Sequence, residues 1–387
     1  MINWHQITDP TIYEQDRFNE IRNLEGPRSL PYLDTKGIPS IGIGFNLRTM
    51  NVRNAVFEAM GIDTSLLTDP NAIAAEQGYI SQLETALNQR YSSNSALRSA
   101  LNPIMAQRAT DPVLASYPYI SSRTTFTMTD PEIETAFNDI IPDYEATLNA
   151  WLPGIPQSDE RLALVSLAYN GLIGFKADGS LKSPALHQAL VVGNRAEAWY
   201  EIRYRSNADT RQANRRVQES DLFSLYDEQG PGIPEDEAKS VLQMYTLHKA
   251  TILSYESRYA SAFQSNNESI QSQIAMAKAP LIAVYALGQT IDGDVLVGQD
   301  GPAGSTALVG TPQNDLIFGG NSSGDVLLGN LGNDVIYGNQ GNDQIVAGPG
   351  NDTLLGGAGN DQLEAGAGNN VLDDGVNEEM RLERMAT

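Results

Sequence analysis

The first 228 residues carry hydrophobic positions at helical spacing. The segment 158–169 is rich in Leu, Ala and Val at that spacing, and 129–152 opens with Thr-Asp-Pro-Glu, which favours a helix start with proline in the first turn. Further helices are predicted at 194–205 and 211–226. The pattern therefore predicts a mainly helical N-terminal half.

A short segment at 38–47 breaks this helical pattern. Ile41, Ile43 and Phe45 alternate with glycines, and a period of two is typical of a strand. Ser40 shares the opposite face with those glycines, which lets a bulky polymer lie close to the backbone. Together with the turn before it, the segment predicts one β-hairpin within a helical domain.

An acid is expected at the end of the first helix. Asp9 is a suitable N-cap for a helix over 9–24, and Gly-Pro after Glu25 stops it. Glu25 shares a face with Phe18 and Ile21, at spacings of seven and four residues. Partial desolvation and the negative end of the helix dipole both disfavour the charged carboxylate, as a general acid working near neutral pH requires.

From about residue 309 the chain consists of short repeats, each made of a glycine-rich turn, Asn-Asp and a pair with an apolar residue. Aspartates recur at Asp315, Asp325, Asp334, Asp343, Asp352 and Asp361, and Asn370 closes the series. Stacked turns would place these carboxylates in register, where they repel each other unless a hard cation such as calcium lies among them. A degenerate first turn is predicted at 292–296, and the turn of Asn370 is expected to bind calcium weakly.

Charge and composition exclude several classes of function. The net charge is −23, and no basic residue lies between Lys278 and Arg381, which argues against a basic nucleic-acid-binding surface. Without cysteine there are no disulfides and no thiol catalysis, and the three histidines are not spaced as a zinc pair. We also expect no membrane-spanning helix and no N-terminal signal peptide.

The residues around the predicted helix end and hairpin resemble the active site of phage-type lysozymes (glycoside hydrolase family 24) and of the related pesticin-type muramidases. The resemblance rests on Glu25-Gly26, on Asp34 nine residues later and on Ser40-Ile41-Gly42-Ile43-Gly44. It implies hydrolysis of the β-1,4 bond between N-acetylmuramic acid and N-acetylglucosamine with inversion. Glu25 would be the acid, Asp34 the base or water-orienting carboxylate, and Ser40 the hydroxyl that positions water.

The resemblance extends to later helices. Residues 161–175 are similar to the core helix of the family, in which a polar residue near the end lines the sugar cleft; Asn170 holds that position. In the last helices an arginine pairs with the catalytic glutamate, which implies Arg215 or Arg216. Tyr32 is a candidate for stacking on sugar, although a structural role is equally open.

Two features depart from the family pattern. Phe45 stands where phage enzymes often have histidine, which puts in doubt a buried ion pair behind the acid. Residues 50–117 form a long insertion, which suggests an altered substrate lobe.

The repeats resemble the RTX nonapeptide G-G-x-G-x-D-x-U-x, which forms a calcium-binding parallel β-roll. In that family each ion lies between turns two repeats apart, which implies as calcium ligands Asp325, Asp334, Asp343, Asp352 and Asp361. The resemblance further implies an extracellular protein exported by type I secretion machinery. Calcium met outside the cell would complete the folding of the repeats, because metal-binding energy is folding energy in such a domain.

The expected fold is thus an α+β, mainly helical lysozyme-like domain followed by an all-β parallel β-roll. The predicted boundaries are 1–232 for the muramidase domain, 233–288 for a helical linker, 289–375 for the RTX β-roll and 376–387 for a tail with an export signal. The expected partner is peptidoglycan, and calcium is expected to serve the repeats while catalysis needs no cofactor. Two alternatives remain open: a non-catalytic, calcium-dependent cell-wall-binding or matrix protein on a degenerate lysozyme fold, and a bacteriocin or phage-tail-delivered muramidase.

Overall fold

The computed structural model describes residues 2–205, 210–227, 232–260, 269–300, 307–321 and 324–375. A helical N-terminal region with a small antiparallel sheet is followed by a parallel β-solenoid of about four turns, which confirms the predicted fold class. By packing, the chain divides into two units: Trp4–Ser183, and Pro184 onwards together with the first three residues. The domain boundaries predicted from the sequence follow function rather than packing and remain predictions.

The N-terminal unit consists mainly of helices. They are α1 (Pro10–Glu25), α2 (Met50–Ala59), α3 (Pro70–Leu87), α4 (Asn94–Thr110), α5 (Pro118–Ser121), α6 (Asp130–Trp151) and α7 (Asp159–Tyr169). The predicted starts are confirmed: Asp9 accepts a hydrogen bond from the Thr11 amide at 2.8 Å, and Thr129 forms a capping box with Glu132. Helix α7 is buried along almost its whole length, which makes it the centre of this unit.

The small sheet differs from the predicted hairpin. It has three antiparallel strands, β1 (Arg28–Leu33), β2 (Pro39–Gly42) and β3 (Phe45–Asn46), so the expected strand over 38–47 is in fact two strands. The chain reverses between them because Gly42 and Gly44 have φ of +63° and +88°, a left-handed region that favours glycine. The predicted separation into an apolar and an open face was therefore wrong: the chain reverses at the glycines, and β2 is buried along its whole length.

The C-terminal unit begins with a second set of helices. They are α8 (Pro184–Val192), α9 (Arg195–Tyr200) with a π-helical turn at Glu201–Arg205, α10 (Thr210–Phe223), α11 (Glu235–Arg258) and α12 (Ile270–Tyr285). The helices predicted in the linker are confirmed as α11 and α12, which pack against each other, and α11 also packs on the first strand of the solenoid.

The solenoid is built from very short parallel strands in two sheets. They are β4 (Val295–Val297), β5 (Leu308–Val309), β6 (Leu316–Phe318), β7 (Val326–Leu328), β8 (Val335–Tyr337), β9 (Gln344–Val346), β10 (Thr353–Leu355), β11 (Gln362–Glu364) and β12 (Val371–Asp373). The even-numbered strands form one sheet and β5, β7, β9 and β11 the other, so two nonapeptides make one coil. Strand β4 confirms the degenerate first turn, whereas the predicted tail at 376–387 lies outside the described residues.

One apolar residue from the middle of each strand fills the space between the sheets. The core contains Leu296, Ile317, Leu327, Ile336, Ile345, Leu354 and Leu363 together with Ala347 just after β9, and Leu308, Ala365 and Leu372 pack against it. Each fully buried aliphatic side chain contributes about 1.5–3 kcal/mol. The single inward position per repeat that the sequence predicts is therefore what holds the two sheets together.

Within the described residues, no helix combines the length and the apolar character needed to cross a membrane.

Candidate active site and calcium sites

Glu25 lies at the junction between the first helix and the small sheet. Gly26 ends α1 with φ +68°, and its amide donates to the Arg22 carbonyl at 3.0 Å. The half-buried Glu25 carboxyl lies against Gly44 in the turn between β2 and β3, where a Cβ atom would come 3.5 Å from Oε2. Gly44 therefore allows both the turn and the close approach of the acid.

Asp34 follows β1 and is held firmly by its own turn. Its Oδ1 accepts hydrogen bonds from the amides of Lys36 at 2.7 Å and of Ile38 at 2.8 Å, while its amide donates to the Ile38 carbonyl. Among the described residues, Oδ2 receives no hydrogen bond. One oxygen thus fixes the orientation of the carboxylate, and the other remains available to a water molecule.

Ser40 lies directly opposite Tyr32 on β1 and Asn46 on β3. Residues opposite each other in antiparallel strands point to the same side of the sheet, so these three polar side chains form one row. Ser40 is 3% exposed, and its hydroxyl donates to the Ile38 carbonyl at 3.3 Å. The hydroxyl is therefore beside the turn that holds Asp34.

The pKa of the Tyr32 phenol is affected by the charges of both carboxyl groups. Its pKa is raised, chiefly by burial; the guanidinium of Arg28, 4.5 Å from the ring centre, opposes the rise, and the charges of Glu25 and Asp34 add to it. Both carboxylates therefore lie within electrostatic reach of one phenol. An inverting glycosidase needs its two carboxyl groups roughly 6.5–9.5 Å apart, with a water molecule between them.

A cavity of about 310 Å³ opens next to Gly44. It is lined by Gly44, Phe45, Asn46, Thr49, Val52, Ile140, Tyr144, Tyr169, Asn170 and Gly171. Asn170 ends α7, where its side-chain amide donates to the Ser166 carbonyl at 2.9 Å, and the Tyr169 hydroxyl donates to the Ile43 carbonyl at 2.9 Å. The central helix is thus tied to the sheet, and Asn170 shares a cavity with the glycine that contacts Glu25.

Two cavity residues, Tyr144 and Asn46, escaped the sequence analysis. The pKa of Tyr144 is raised by burial and then by the charges of Asp143 and Glu25, which places the phenol near the acid. Tyr144 continues the buried stripe of α6 one turn beyond Ile140. The sequence signal that could have identified Tyr144 is an aromatic residue with a polar hydroxyl group at the end of the buried stripe of α6.

Arg215 and Arg216 lie on α10 in the C-terminal unit. Arg215 Nε is 2.9 Å from Oε1 of Glu219, and Arg216 also forms an ion pair with Glu219. All three side chains are buried. The pairing of either arginine with Glu25 stays a prediction.

In the solenoid, each aspartate binds the backbone of the neighbouring coil. Oδ1 of Asp334 accepts the amide of Asp315 at 2.8 Å, and the same contact recurs at Asp343, Asp352, Asp361 and Asn370. The preceding asparagines form a second ladder; the amide of Asn351, for example, donates to Oδ1 of Asn333 at 2.7 Å. The Asn-Asp pair therefore stitches successive coils together.

Among the residues that the structure describes, four aspartates have a second carboxylate oxygen that is buried without a hydrogen-bond partner. These are Oδ2 of Asp334, Asp343, Asp352 and Asp361. A Cβ atom at Gly338 would lie 2.5 Å from Oδ2 of Asp343 and 2.3 Å from the carbonyl oxygen of Gly356 in the next coil. Carboxylate and carbonyl oxygens that converge in this way are the donor set that calcium prefers, so these residues fit the ion.

The charges of these carboxylates need compensation. Burial raises the pKa of Asp334 and of Asp343 to about 7, and neighbouring aspartates add to the rise. Burial also raises the pKa of Asp352. Within the described residues no group of three or more His, Asp or Glu side chains is arranged as a metal site, so carbonyl oxygens must complete the coordination of any bound ion.

Comparison with known families agrees with this geometry. Residues 320–354 and 337–372 match the RTX calcium-binding nonapeptide repeat (4 copies). A search of curated proteins found no match. The C-terminal region thus carries RTX calcium-binding nonapeptide repeats, which confirms the predicted repeats and their calcium.

Proposed function

We propose that the protein is a secreted peptidoglycan hydrolase, an N-acetylmuramidase, whose C-terminal repeats are stabilised by calcium. The observation that carries the proposal is the placement of Glu25, Asp34 and Ser40 around the small sheet: the Glu25 carboxyl lies against the turn after β2, Asp34 is held in the turn after β1, and Ser40 lies on β2 beside that turn. It supports a single cleft in which an acid at a helix end faces a carboxylate held by a turn. The resemblance to phage-type lysozymes supplies the reaction.

In the proposed reaction Glu25, in its acid form, gives its proton to the glycosidic oxygen while the bond from C1 to that oxygen breaks. Water attacks C1 from the opposite face, and Oδ2 of Asp34 takes the water proton. The Ser40 hydroxyl orients the water. The product has the inverted configuration at C1.

The cavity beside Gly44 suits an acetamido sugar. Asn46 and Asn170 line the cavity with side-chain amides, and Tyr144 and Tyr169 line it with aromatic rings. Small-molecule sites commonly combine apolar walls with a few polar groups that fix orientation. We propose that Tyr32 also contacts the sugar chain.

The test compares Glu25→Gln with Glu14→Gln, an exposed acid on the same helix, in the full-length protein with calcium. We expect Glu25→Gln to lose activity about 10²–10⁴-fold, because general acid catalysis contributes that much, while Glu14→Gln keeps the parental rate. Turbidity and reducing-end release from purified peptidoglycan measure the effect. Cleavage by Glu25→Gln at the parental rate would contradict the assignment of Glu25 as the general acid.

A second candidate is a non-catalytic, calcium-dependent wall-binding protein. The burial of Phe45 supports this candidate. The Phe45 side chain is 1% exposed, and its ring lies 2.7 Å from the Cβ position at Gly42. Phe45 stands where the resembled phage enzymes often have histidine, and an aromatic hydrocarbon side chain cannot itself form an ion pair with the acid. Binding to cell-wall sacculi without release of reducing ends by the parental protein would favour this candidate.

Secretion is the remaining part of the proposal. RTX repeats are typical of secreted proteins, and their calcium requirement suits the calcium-rich medium outside a cell. By the type I route we expect the protein in culture supernatant as free protein. Recovery with phage-like particles would instead support a phage-tail-delivered muramidase.

A further inference from the structure

The first turn of the solenoid already contains positive charges supplied by the protein. Asp294, in the loop before β4, lies 2.7 Å from Nζ of Lys249 on α11 and 3.3 Å from Nζ of Lys278 on α12. Nζ of Lys278 also donates to the Gly293 carbonyl at 3.2 Å. This ammonium group therefore contacts a carboxylate and a loop carbonyl, the same pair of oxygen types that converges in the later turns.

The next two aspartates are also satisfied by protein groups. Oδ2 of Asp315 accepts the Thr311 amide at 2.6 Å, and Oδ1 accepts the Thr311 hydroxyl at 2.9 Å. Oδ2 of Asp325 accepts the Gly320 amide at 2.7 Å. Neither carboxylate is left with a bare buried oxygen of the kind found further along.

The hydrogen bonding of the aspartate carboxylates changes at Asp334. From there to Asp361 every repeat aspartate has a buried Oδ2 that accepts no hydrogen bond from the described part of the chain. The series ends at Asn370, whose amide nitrogen contacts the carbonyls of Ala365 and Gly366, each at 3.3 Å. In the last turn, the neutral side-chain amide of Asn370 therefore contacts backbone carbonyls. In the first turn, the ammonium group of Lys278 contacts the Gly293 carbonyl in a similar way.

We infer that the cation position of the first turn is filled by Lys249 and Lys278, so that the turns through Asp325 fold without calcium. Calcium is then required only by the turns from Asp334 to Asp361. The predicted calcium role of Asp325 is correspondingly reduced to a structural one. The inference concerns the repeats alone and is independent of the proposed hydrolysis.

Helices α11 and α12 provide the surface on which these first turns form. Gln243 donates its side-chain amide to the Gly298 carbonyl at 2.5 Å, and Nζ of Lys239 on α11 lies 5.1 Å from the centre of the Phe318 ring. The Tyr285 ring packs edge-on against Phe318, with the ring centres 5.2 Å apart. A β-strand without a partner is unstable in water, so a helical surface at one end gives the first coil its support.

Hydrogen exchange of the full-length protein, followed by mass spectrometry with EDTA and with calcium, tests the inference. In EDTA we expect the amides of 293–298 and 308–318 to remain protected and those of 334–364 to exchange freely; calcium should protect both groups. Equal, fast exchange of both groups in EDTA would overturn the inference. So would protection of both groups in EDTA, because then no turn would require calcium.

A double variant separates the lysine contacts from general charge. Lys249→Gln with Lys278→Gln should remove the protection of 293–298 in EDTA and raise the calcium concentration needed to protect 334–364. The control, Lys36→Gln with Lys176→Gln, removes two exposed lysines of the other unit and changes the net charge equally. If both double variants behave alike, the lysines act only through the overall charge and the inference fails.

Discussion

Gly44 shows how a residue without a side chain shapes the candidate cleft. Its φ of +88° makes the turn between β2 and β3, and its open side admits the Glu25 carboxyl. An alanine there would bear the backbone cost of a left-handed conformation, about 1–2 kcal/mol, and would crowd the acid. We therefore expect Gly44→Ala to lower both the free energy of unfolding and the rate of peptidoglycan cleavage.

The chain offers a matched control for this change. Gly154 has the same φ of +88° but nothing within 4 Å of its Cβ position. Gly154→Ala should cost similar stability, measured by urea unfolding, and keep its specific activity. Equal activities of the two variants at a temperature where both are folded would show that Gly44 does not serve the acid.

Asp34 holds its own turn and is proposed to take the water proton, and a conservative variant separates these two roles. In Asp34→Asn the amide oxygen can still accept from Lys36 and Ile38, so the turn and the melting temperature should be retained. The anionic oxygen that would take the water proton is lost, and we expect activity to fall about 10²–10⁴-fold. Stereochemical analysis by NMR of the parental product should show inversion, and a retained configuration would contradict the role given to Asp34.

At the scale of elements, local signals predicted the structure well. The cap at Asp9, the Thr-Asp-Pro-Glu start of α6 and the nine-residue period of the repeats each act within a few residues, and each appears in the structure. The candidate acid, the turn carboxylate and the strand hydroxyl were named for the same reason, since they lie within sixteen residues of one another. Their chemical roles remain predictions.

Features that depend on distant partners could not be predicted. The alternating pattern over 38–47 does not reveal that both Gly42 and Gly44 take positive φ and reverse the chain. The ion pairs of Lys249 and Lys278 with Asp294 join residues 45 and 16 positions apart. The approach of Tyr144 to Glu25 likewise depends on how α6 packs.

The repeats should respond to pH when calcium is removed. The pKa of Asp334 and of Asp343 is raised to about 7 in the folded state, above the ordinary value of 3.8, so the folded repeats hold more protons than the unfolded chain between these values. Stability of the calcium-free repeats should therefore fall as pH rises from about 4 to 7. Bound calcium should flatten this dependence, because it favours the ionised carboxylates.

Circular dichroism melts at pH 5 and pH 8, each with EDTA and with calcium, measure this effect. We expect EDTA to lower the melting temperature of the repeats much more at pH 8 than at pH 5. The variant pair Asp334→Asn with Asp343→Asn should lose the pH dependence in EDTA. An equal effect of EDTA at both pH values would contradict desolvation of the two carboxylates.

At the scale of the whole molecule, packing and predicted function divide the chain differently. Helices α8–α10 belong by packing to the C-terminal unit, whereas the resemblance assigns them to the muramidase domain that ends at residue 232. Helices α11 and α12, predicted as a linker, contact the solenoid through Gln243, Lys249 and Lys278. The linker is therefore a structural part of the C-terminal unit.

This organisation predicts that calcium acts on one unit more than on the other. A ligand that binds only the folded state stabilises it by about 2.7 kcal/mol per site at a concentration one hundred times its dissociation constant.

Trp4 and Trp151 lie in the N-terminal unit and Trp199 in the C-terminal one, so Trp199→Phe leaves fluorescence that reports on the N-terminal unit. We expect calcium to raise the calorimetric transition of the C-terminal unit by several degrees and to shift the fluorescence transition of this variant little. Magnesium, which holds its water more tightly, should have a weaker effect. If the fluorescence and calorimetric transitions rise together with calcium, the two units unfold as one, and loss of calcium from the repeats would then also weaken the fold that carries Glu25 and Asp34.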